Sequence, residues 1–255
     1  PEISLINQSL QARMGVVTSN GDGFGMGWYD ESGEPGLYRS IIPAWNDKNL
    51  RELAMHVQSS AFFAHVRAST GTAIQQTNCH PFRHGRWLWM HNGMIRNFDT
   101  MRRDLMLAVN AELFNEIKGS TDSEVMFYLA LSLGLDRDPI SAVAQMAGLI
   151  EESASLHSVD NPIRMSIATS DGVRLWIFRY ASAGDAPSLF CTRDVKTLRE
   201  LYPDSPRLEG ISDASRLIVS EPLSEFSGVW EEIPKDSCGV VSAGTLEQRQ
   251  FIPTL

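Results

Sequence analysis

The chain has 255 residues, 43% of them hydrophobic, with a net charge of −9 and three cysteines. That is enough apolar material for one full domain, residues 1–255, and the acidic balance without a basic run argues against nucleic acid and acidic membranes as partners. No apolar run approaches the roughly eighteen residues of a membrane span, and so few cysteines form no disulfide framework, which points to a reducing, cytoplasmic setting.

In chain order, Gly21, Gly23, Gly25 and Gly27 alternate ahead of Trp28 and Tyr29. Spacing by two places all four on one face of an extended strand, whereas a dinucleotide fingerprint needs them at a strand-to-helix turn. Such a face admits a close neighbour, either packed backbone or a ligand. A polar turn from Glu31 to Gly36 leads to a short strand around Leu37 to Ile42. Asp47 to Gln58 then reads as a covering helix, with Leu50, Leu53, Ala54 and Val57 on one face and Asn46 or Asp47 as cap. Ala61 to Val66 is too short and too aromatic for a helix and reads as a central strand. His65 and Arg67 share one of its faces, and His65 reads as a hydrogen-bonded core histidine.

The run from Trp87 to Gly93 carries two tryptophans at alternate positions and stops at His91, Asn92 and Gly93. It reads as a buried strand, and Asn-Gly signals a tight turn at its end. Two readings follow for that end: a plain hairpin turn, or a strand-end loop holding reactive groups. Helix signals return at Asp99 to Asn110, with Met101, Leu105, Ala108 and Val109 as the buried stripe. Thr121 and Glu124 form a capping box ahead of Val125, Met126, Leu129 and Leu133, and Pro139 opens a third helix through Val143, Ala144, Ala147 and Ile150. From Ile163 the period changes to two, with strands at 163–169 and 173–180 around a Ser170-Asp-Gly172 turn, and later ones at 188–192, 217–220, 229–233 and 239–242. Strands, then helices, then strands again give the α+β class.

Five segments in fixed order carry a resemblance: Asn20 to Gly25, Arg67 to Gly71, Asn78 to Phe82, His91 to Gly93, and Thr121 to Glu124. Together they resemble the glutaminase domain of class II, N-terminal-nucleophile glutamine amidotransferases, and most of all its stand-alone bacterial members. The resemblance implies a four-layer αββα sandwich of two antiparallel sheets between helices. It also implies an amidohydrolase that cleaves the side-chain amide of glutamine, or a related γ-glutamyl amide, through a cysteine thioester. A guanidinium grips the substrate α-carboxylate and a carboxylate takes its α-ammonium, which are the parts of Arg67 and Asp122. The tetrahedral oxyanion needs preset donors, and the resemblance assigns them to the Asn92 side chain and the Gly93 N–H. His80 has a supporting part. No metal and no cofactor are called for, and an ammonia-accepting partner protein is a further implication.

Each of these residues also has a plain structural reading: Asp122 as a first-turn acid, Arg67 as a strand-end charge in an ion pair. One departure stands out, because the family's nucleophile is an N-terminal cysteine whose own α-amine, with a reference pKa near ~8, serves as base. Here residue 1 is proline, and none of Cys79, Cys191 or Cys238 is N-terminal. Cys79 and His80 are neighbours whose side chains point to opposite faces of an extended strand, so Cys79 reads as a packing or pocket-lining residue. The expectation is a nucleophilic cysteine upstream of Pro1, on a strand and loop of about twenty residues preceding the segment Pro1 to Leu5. Two function classes stay open: this enzyme, including a γ-glutamyl amide hydrolase of an ergothioneine-type pathway, or an amino-acid-binding module without chemistry.

Overall fold

The computed structural model describes residues 5–14, 19–69, 71–204, 206–209, 211–223 and 228–255. Pro1 to Ser4, where the segment following the expected nucleophile strand begins, and Thr70 of the Arg67 motif lie outside the described residues. After a short helix α1 (Leu5–Leu10), a three-stranded antiparallel sheet has β1 (Phe24–Tyr29) at its centre, with β2 (Pro35–Ser40) and β3 (Phe62–Val66) on either side. The strand read as central, β3, is therefore at the edge of its sheet, and the glycine-rich strand takes the middle. Glycines there leave room for the layer above. A Cβ on Gly25 would sit 2.1 Å from the His80 carbonyl oxygen, and one on Gly27 would lie 2.9 Å from both Pro81 and Leu88. Only Gly25 and Gly27 lie in β1; Gly21 and Gly23 precede it, and Gly23 has φ +112°, so the four do not share one strand face, and what occupies the face at Gly25 and Gly27 is packed protein.

The chain continues through β4 (Phe82–His84), β5 (Trp87–Ile95), β6 (Ile163–Ser170) and β7 (Leu175–Ala181). Next come three short strands, β8 (Phe190–Thr192), β9 (Ile218–Val219) and β10 (Trp230–Glu232), then β11 (Ser237–Ser242) and β12 (Thr245–Gln250). The large sheet runs β12-β11-β7-β6-β5-β4 with antiparallel neighbours, and β8 lies between β10 and β9 in a small third sheet. Asn92 and Gly93 do not turn. They continue β5 opposite Ser166 and Met165 of β6, and the strand ends only at Ile95, so these residues form neither a hairpin turn nor a strand-end loop.

One face of the large sheet, with Trp87, Trp89, Ile95, Met165 and Phe178, packs against α3 (Phe98–Leu107), α5 (Asp122–Ser132) and α6 (Pro139–Leu156). A short α4 (Ala111–Phe114) links the first two. From Ser123 to Ala130 every residue of α5 is buried, all round the helix rather than along one stripe, because it lies between β5 and the helices α3 and α6. The other face meets the smaller sheets, through Leu88 on Tyr29 and Phe63 and through Ile177 on Leu189, Cys191 and Ile233. The result is an α+β sandwich of antiparallel sheets with helices outside. On the small-sheet side the helical cover is thin. Helix α2 (Lys48–His56) is capped by the Asp47 carboxylate on the Leu50 N–H as expected, but it buries no residue fully and exposes Ala54, so it covers little. A last helix, α7 (Val195–Leu201), follows β8.

Candidate active site

Site geometry begins with the brevity of β4. It pairs with β5 only from Trp87 to Trp89, so beyond Trp89 one edge of β5 has no neighbouring strand among the described residues. Strand alternation decides which amides face that edge. Arg96 N–H reaches the Pro162 carbonyl on the β6 side, whereas Ile95 N–H donates to Asp122 Oδ2 at 2.7 Å on the other. Two residues back from Ile95, the Gly93 N–H therefore faces the open edge. Gly93 has φ +143°, and a Cβ there would lie 1.9 Å from the Arg164 carbonyl oxygen, so only glycine fits. The Asn92 side chain is exposed, and among the described residues it makes no hydrogen bond. Its alternation with Leu88 and Met90 puts it on the face turned toward the small sheet.

Asp122 is the first residue of α5 and is half-buried. Besides Ile95, its carboxylate accepts the Ser123 N–H at 2.7 Å and the Ser123 hydroxyl at 3.3 Å. Ser123 Oγ in turn lies 2.8 Å from His91 Nδ1. A chain of contacts thus joins the helix start to the middle of β5. The capping box is half formed: Thr121 Oγ1 accepts the Glu124 N–H at 3.2 Å, but the Glu124 carboxylate turns to the N–H groups of Lys118 and Gly119 at 3.0 and 2.6 Å.

Arg67 follows β3 and is buried. Its Nη2 donates to Thr72 Oγ1 at 2.6 Å, Ser69 Oγ at 3.3 Å and the Ala73 carbonyl at 3.3 Å, and Nη1 reaches the Asp22 carbonyl at 3.4 Å. Among the described residues no carboxylate pairs with it, so the ion-pair reading does not hold. Asp22 Oδ2 instead fixes the loop by accepting the Ser69 N–H at 2.7 Å.

Between Arg67 and His91 lie two further histidines. His80, buried, lies tilted against His65 with centroids 4.4 Å apart and meets Phe82 edge-on at 4.6 Å. Among the described residues neither His80 ring nitrogen nor His65 Nδ1 has a hydrogen-bond partner, so His65 is not the hydrogen-bonded core residue its strand position suggested. Burial lowers all three histidines and mutual charge adds to it for two. His65 is lowered to about 4 by burial and by His91 and Arg67, and His80 falls well below its ordinary value by burial and then by His65 and His91. His91 is lowered by burial, opposed by the Asp122 carboxylate. Hydrogen bonds join Asp122, Ser123 and His91, and ring contact joins His65 to His80. Sequence reasoning did not single out Ser123, which bridges Asp122 and His91, or the contact of His65 with His80; the shared face of His65 and Arg67 was the available signal for the latter.

Cys79 is fully buried, its Sγ donating to the Ser40 and Gln75 carbonyls at 3.5 and 3.7 Å, and burial pushes its thiol pKa up. All three cysteines are buried and unpaired with raised thiol pKa values, the opposite of what a nucleophile requires. Among the described residues no three acidic, histidine or cysteine side chains are set to hold a metal, and no helix is long and apolar enough to cross a membrane.

The family description "glutamine amidotransferases class-II" matches residues 1–193. A probable glutamine amidotransferase of Saccharomyces cerevisiae is 33% identical, covering 96% of this chain and 77% of its own length. A γ-glutamyl-hercynylcysteine sulfoxide hydrolase of Mycolicibacterium smegmatis is 30% identical over 84% of each chain. Among solved structures, a glutamine aminotransferase class-II domain protein from Silicibacter pomeroyi is 38% identical with TM-score 0.76, covering 91% of this chain and 92% of its own. A glutamine phosphoribosylpyrophosphate amidotransferase from B. subtilis, 15% identical with TM-score 0.55 over 92% of this chain and 44% of its own, shares the fold.

Proposed function

Because the chain belongs to the class II glutamine amidotransferases, an amidohydrolase family, we propose that it cleaves the side-chain amide of glutamine or of a related γ-glutamyl amide at the open edge of β5. In this reading residues 1–255 act as one domain. Arg67 takes the substrate α-carboxylate, Asp122 its α-ammonium, and the Asn92 side chain and Gly93 N–H take the oxyanion. The observation that carries it is Arg67, a buried guanidinium held in place by neutral oxygens and lacking a carboxylate of its own among the described residues. His80 and His65 are neutral at pH 7 and wall the site without adding charge.

The nucleophile is assigned to a cysteine upstream of Pro1, since the three thiols of the chain are buried and disfavour the thiolate. Its α-amine takes the thiol proton, the sulfur attacks the amide carbon, and the carbonyl electrons move onto the oxygen held by Asn92 and Gly93. Collapse breaks the C–N bond as the proton passes to the leaving nitrogen. Water then attacks the thioester, the sulfur regains a proton, and glutamate leaves. Three relatives named as γ-glutamyl-hercynylcysteine sulfoxide hydrolases favour a second reading, in which the released group is an amine larger than ammonia. Where ammonia is the product, we assign any delivery to a separate partner protein. The unpaired thiols support the cytoplasm as the setting.

The deciding experiment is mass mapping of the native protein after a glutamine-like diazo-ketone. One adduct on a residue preceding Pro1 is expected, and an adduct on Cys79 would overturn the mechanism.

A further inference from the structure

The Gly93 N–H sits on a kink of β5, and glycine is the residue least able to hold one backbone conformation by itself. The first two residues of α5 brace the strand on either side of that kink. On one side, Asp122 Oδ2 accepts the Ile95 N–H at 2.7 Å. On the other, Ser123 Oγ lies 2.8 Å from His91 Nδ1, and both of these side chains are buried. The His91 ring itself reaches Gly93, since a Cβ there would stand 2.8 Å from His91 Nε2 as well as 1.9 Å from the Arg164 carbonyl oxygen. The imidazole therefore lines the space that a side chain at residue 93 would enter.

The tie between His91 and Ser123 holds wherever the hydroxyl proton lies. Ser123 Oγ carries one proton and stands between His91 Nδ1 and Asp122 Oδ1, the latter at 3.3 Å. If the hydroxyl donates to His91, the neutral ring carries its proton on Nε2; if it donates to Asp122, the ring donates from Nδ1. In both arrangements Asp122 keeps the N–H groups of Ile95 and Ser123, each at 2.7 Å. His91 Nε2 has no hydrogen-bond partner among the described residues, so what the ring offers Gly93 is bulk, and what fixes that bulk in place is Ser123. We propose that His91 and Ser123 are positioning residues for the oxyanion: the imidazole, moored to α5 by the serine hydroxyl, holds the kink at Gly93 so that its N–H stays aimed out of the open edge of β5. The proposal rests on the amide-cleaving reading above, which puts the oxyanion at that N–H. It also gives α5 two tasks at one end, with Asp122 on the substrate ammonium and Ser123 supporting the donor at the reacting carbonyl.

The test measures turnover of L-glutamine and γ-glutamylmethylamide by the native protein, together with glutamate binding in calorimetry. Ser123→Ala removes the mooring and spares both N–H bonds to Asp122. It should lower kcat by about ten- to a hundredfold, a part of the roughly 10²–10³ carried by a whole oxyanion donor, while glutamate affinity changes by less than about threefold. Ser123→Thr keeps the hydroxyl and should recover most of the rate. His91→Asn offers the serine an amide near the place of Nδ1 but empties the space beside Gly93, and it too should lower kcat and spare glutamate binding. Unchanged kcat in Ser123→Ala and His91→Asn would overturn the proposal, as would equal losses of kcat and glutamate affinity, the mark of a loosened helix start. Wild type separates the two ideas: if it turns over neither amide, the amide-cleaving reading falls and the positioning with it. If it is active and the variants keep its rate, only the positioning is wrong.

Discussion

In the proposed reaction Arg67 and Asn92 contribute at different moments, so their substitutions should separate. Arg67 would touch a charge that the substrate carries throughout. Arg67→Ala should therefore weaken glutamate binding by roughly 2–5 kcal/mol in calorimetry, the range for removing one partner of a desolvated charge pair. Asn92 is exposed and makes no hydrogen bond among the described residues, and in the proposed reaction it acts only once negative charge gathers on the carbonyl oxygen. Asn92→Ala should lower kcat by about 10²–10³ with KM nearly unchanged. Parallel losses in binding for both variants would mean that Asn92 merely shapes the strand. The motif residues could be proposed from sequence because each chemistry admits few side chains. His65 was misread for a physical reason: its neighbour His80 comes from a distant segment and meets it only through the packing of the fold.

Strand β1 shows what element-level spacing could and could not reveal. Its two glycines, Gly25 and Gly27, marked a close approach, by the His80 backbone at the first and by the Pro81 and Leu88 side chains at the second. Gly25→Ala would force that loop away, so a loss of about 1–3 kcal/mol, as for overpacked cores, is expected in chemical denaturation, together with weaker glutamate binding because His80 moves. Unchanged binding in a destabilised variant would detach His80 from the site. The turn expected at Asn92-Gly93 failed because the permissive backbone of glycine is spent on a kink within β5, where the Arg164 carbonyl crowds it, and not on a reversal. Similarly, β3 lies at an edge because strand order is set by pairing between distant segments, which a run of apolar residues does not encode. Short elements such as β4 and α4 were not anticipated, being too brief to show a period.

For the molecule as a whole, the three histidines set an acid limit. Each is held below its ordinary value in the folded state, so an unfolded chain takes up protons first as pH falls below about 6.5. Stability is thus full above that pH and declines on the way to about 4, where His65 would also protonate when folded. The slope should be roughly 1.4 kcal/mol per pH unit for each histidine that stays neutral. Urea melts at pH 7, 6 and 5 measure it, and replacing His65 by Gln should flatten the slope. A stability flat across that interval would show that the ring nitrogens protonate freely in the fold.

The shortness of β4 has a consequence for self-association. An unpaired strand edge is ordinarily a template for a further strand, and long ones invite chains to stack. Here β4 closes the edge of β5 at Trp89 and the Asp122 carboxylate closes it at Ile95, which leaves only the His91 and Gly93 amides between them. Two amides are too few to register an incoming peptide strand. The notch proposed to hold one carbonyl oxygen is therefore too short to take up a strand from another molecule along β5.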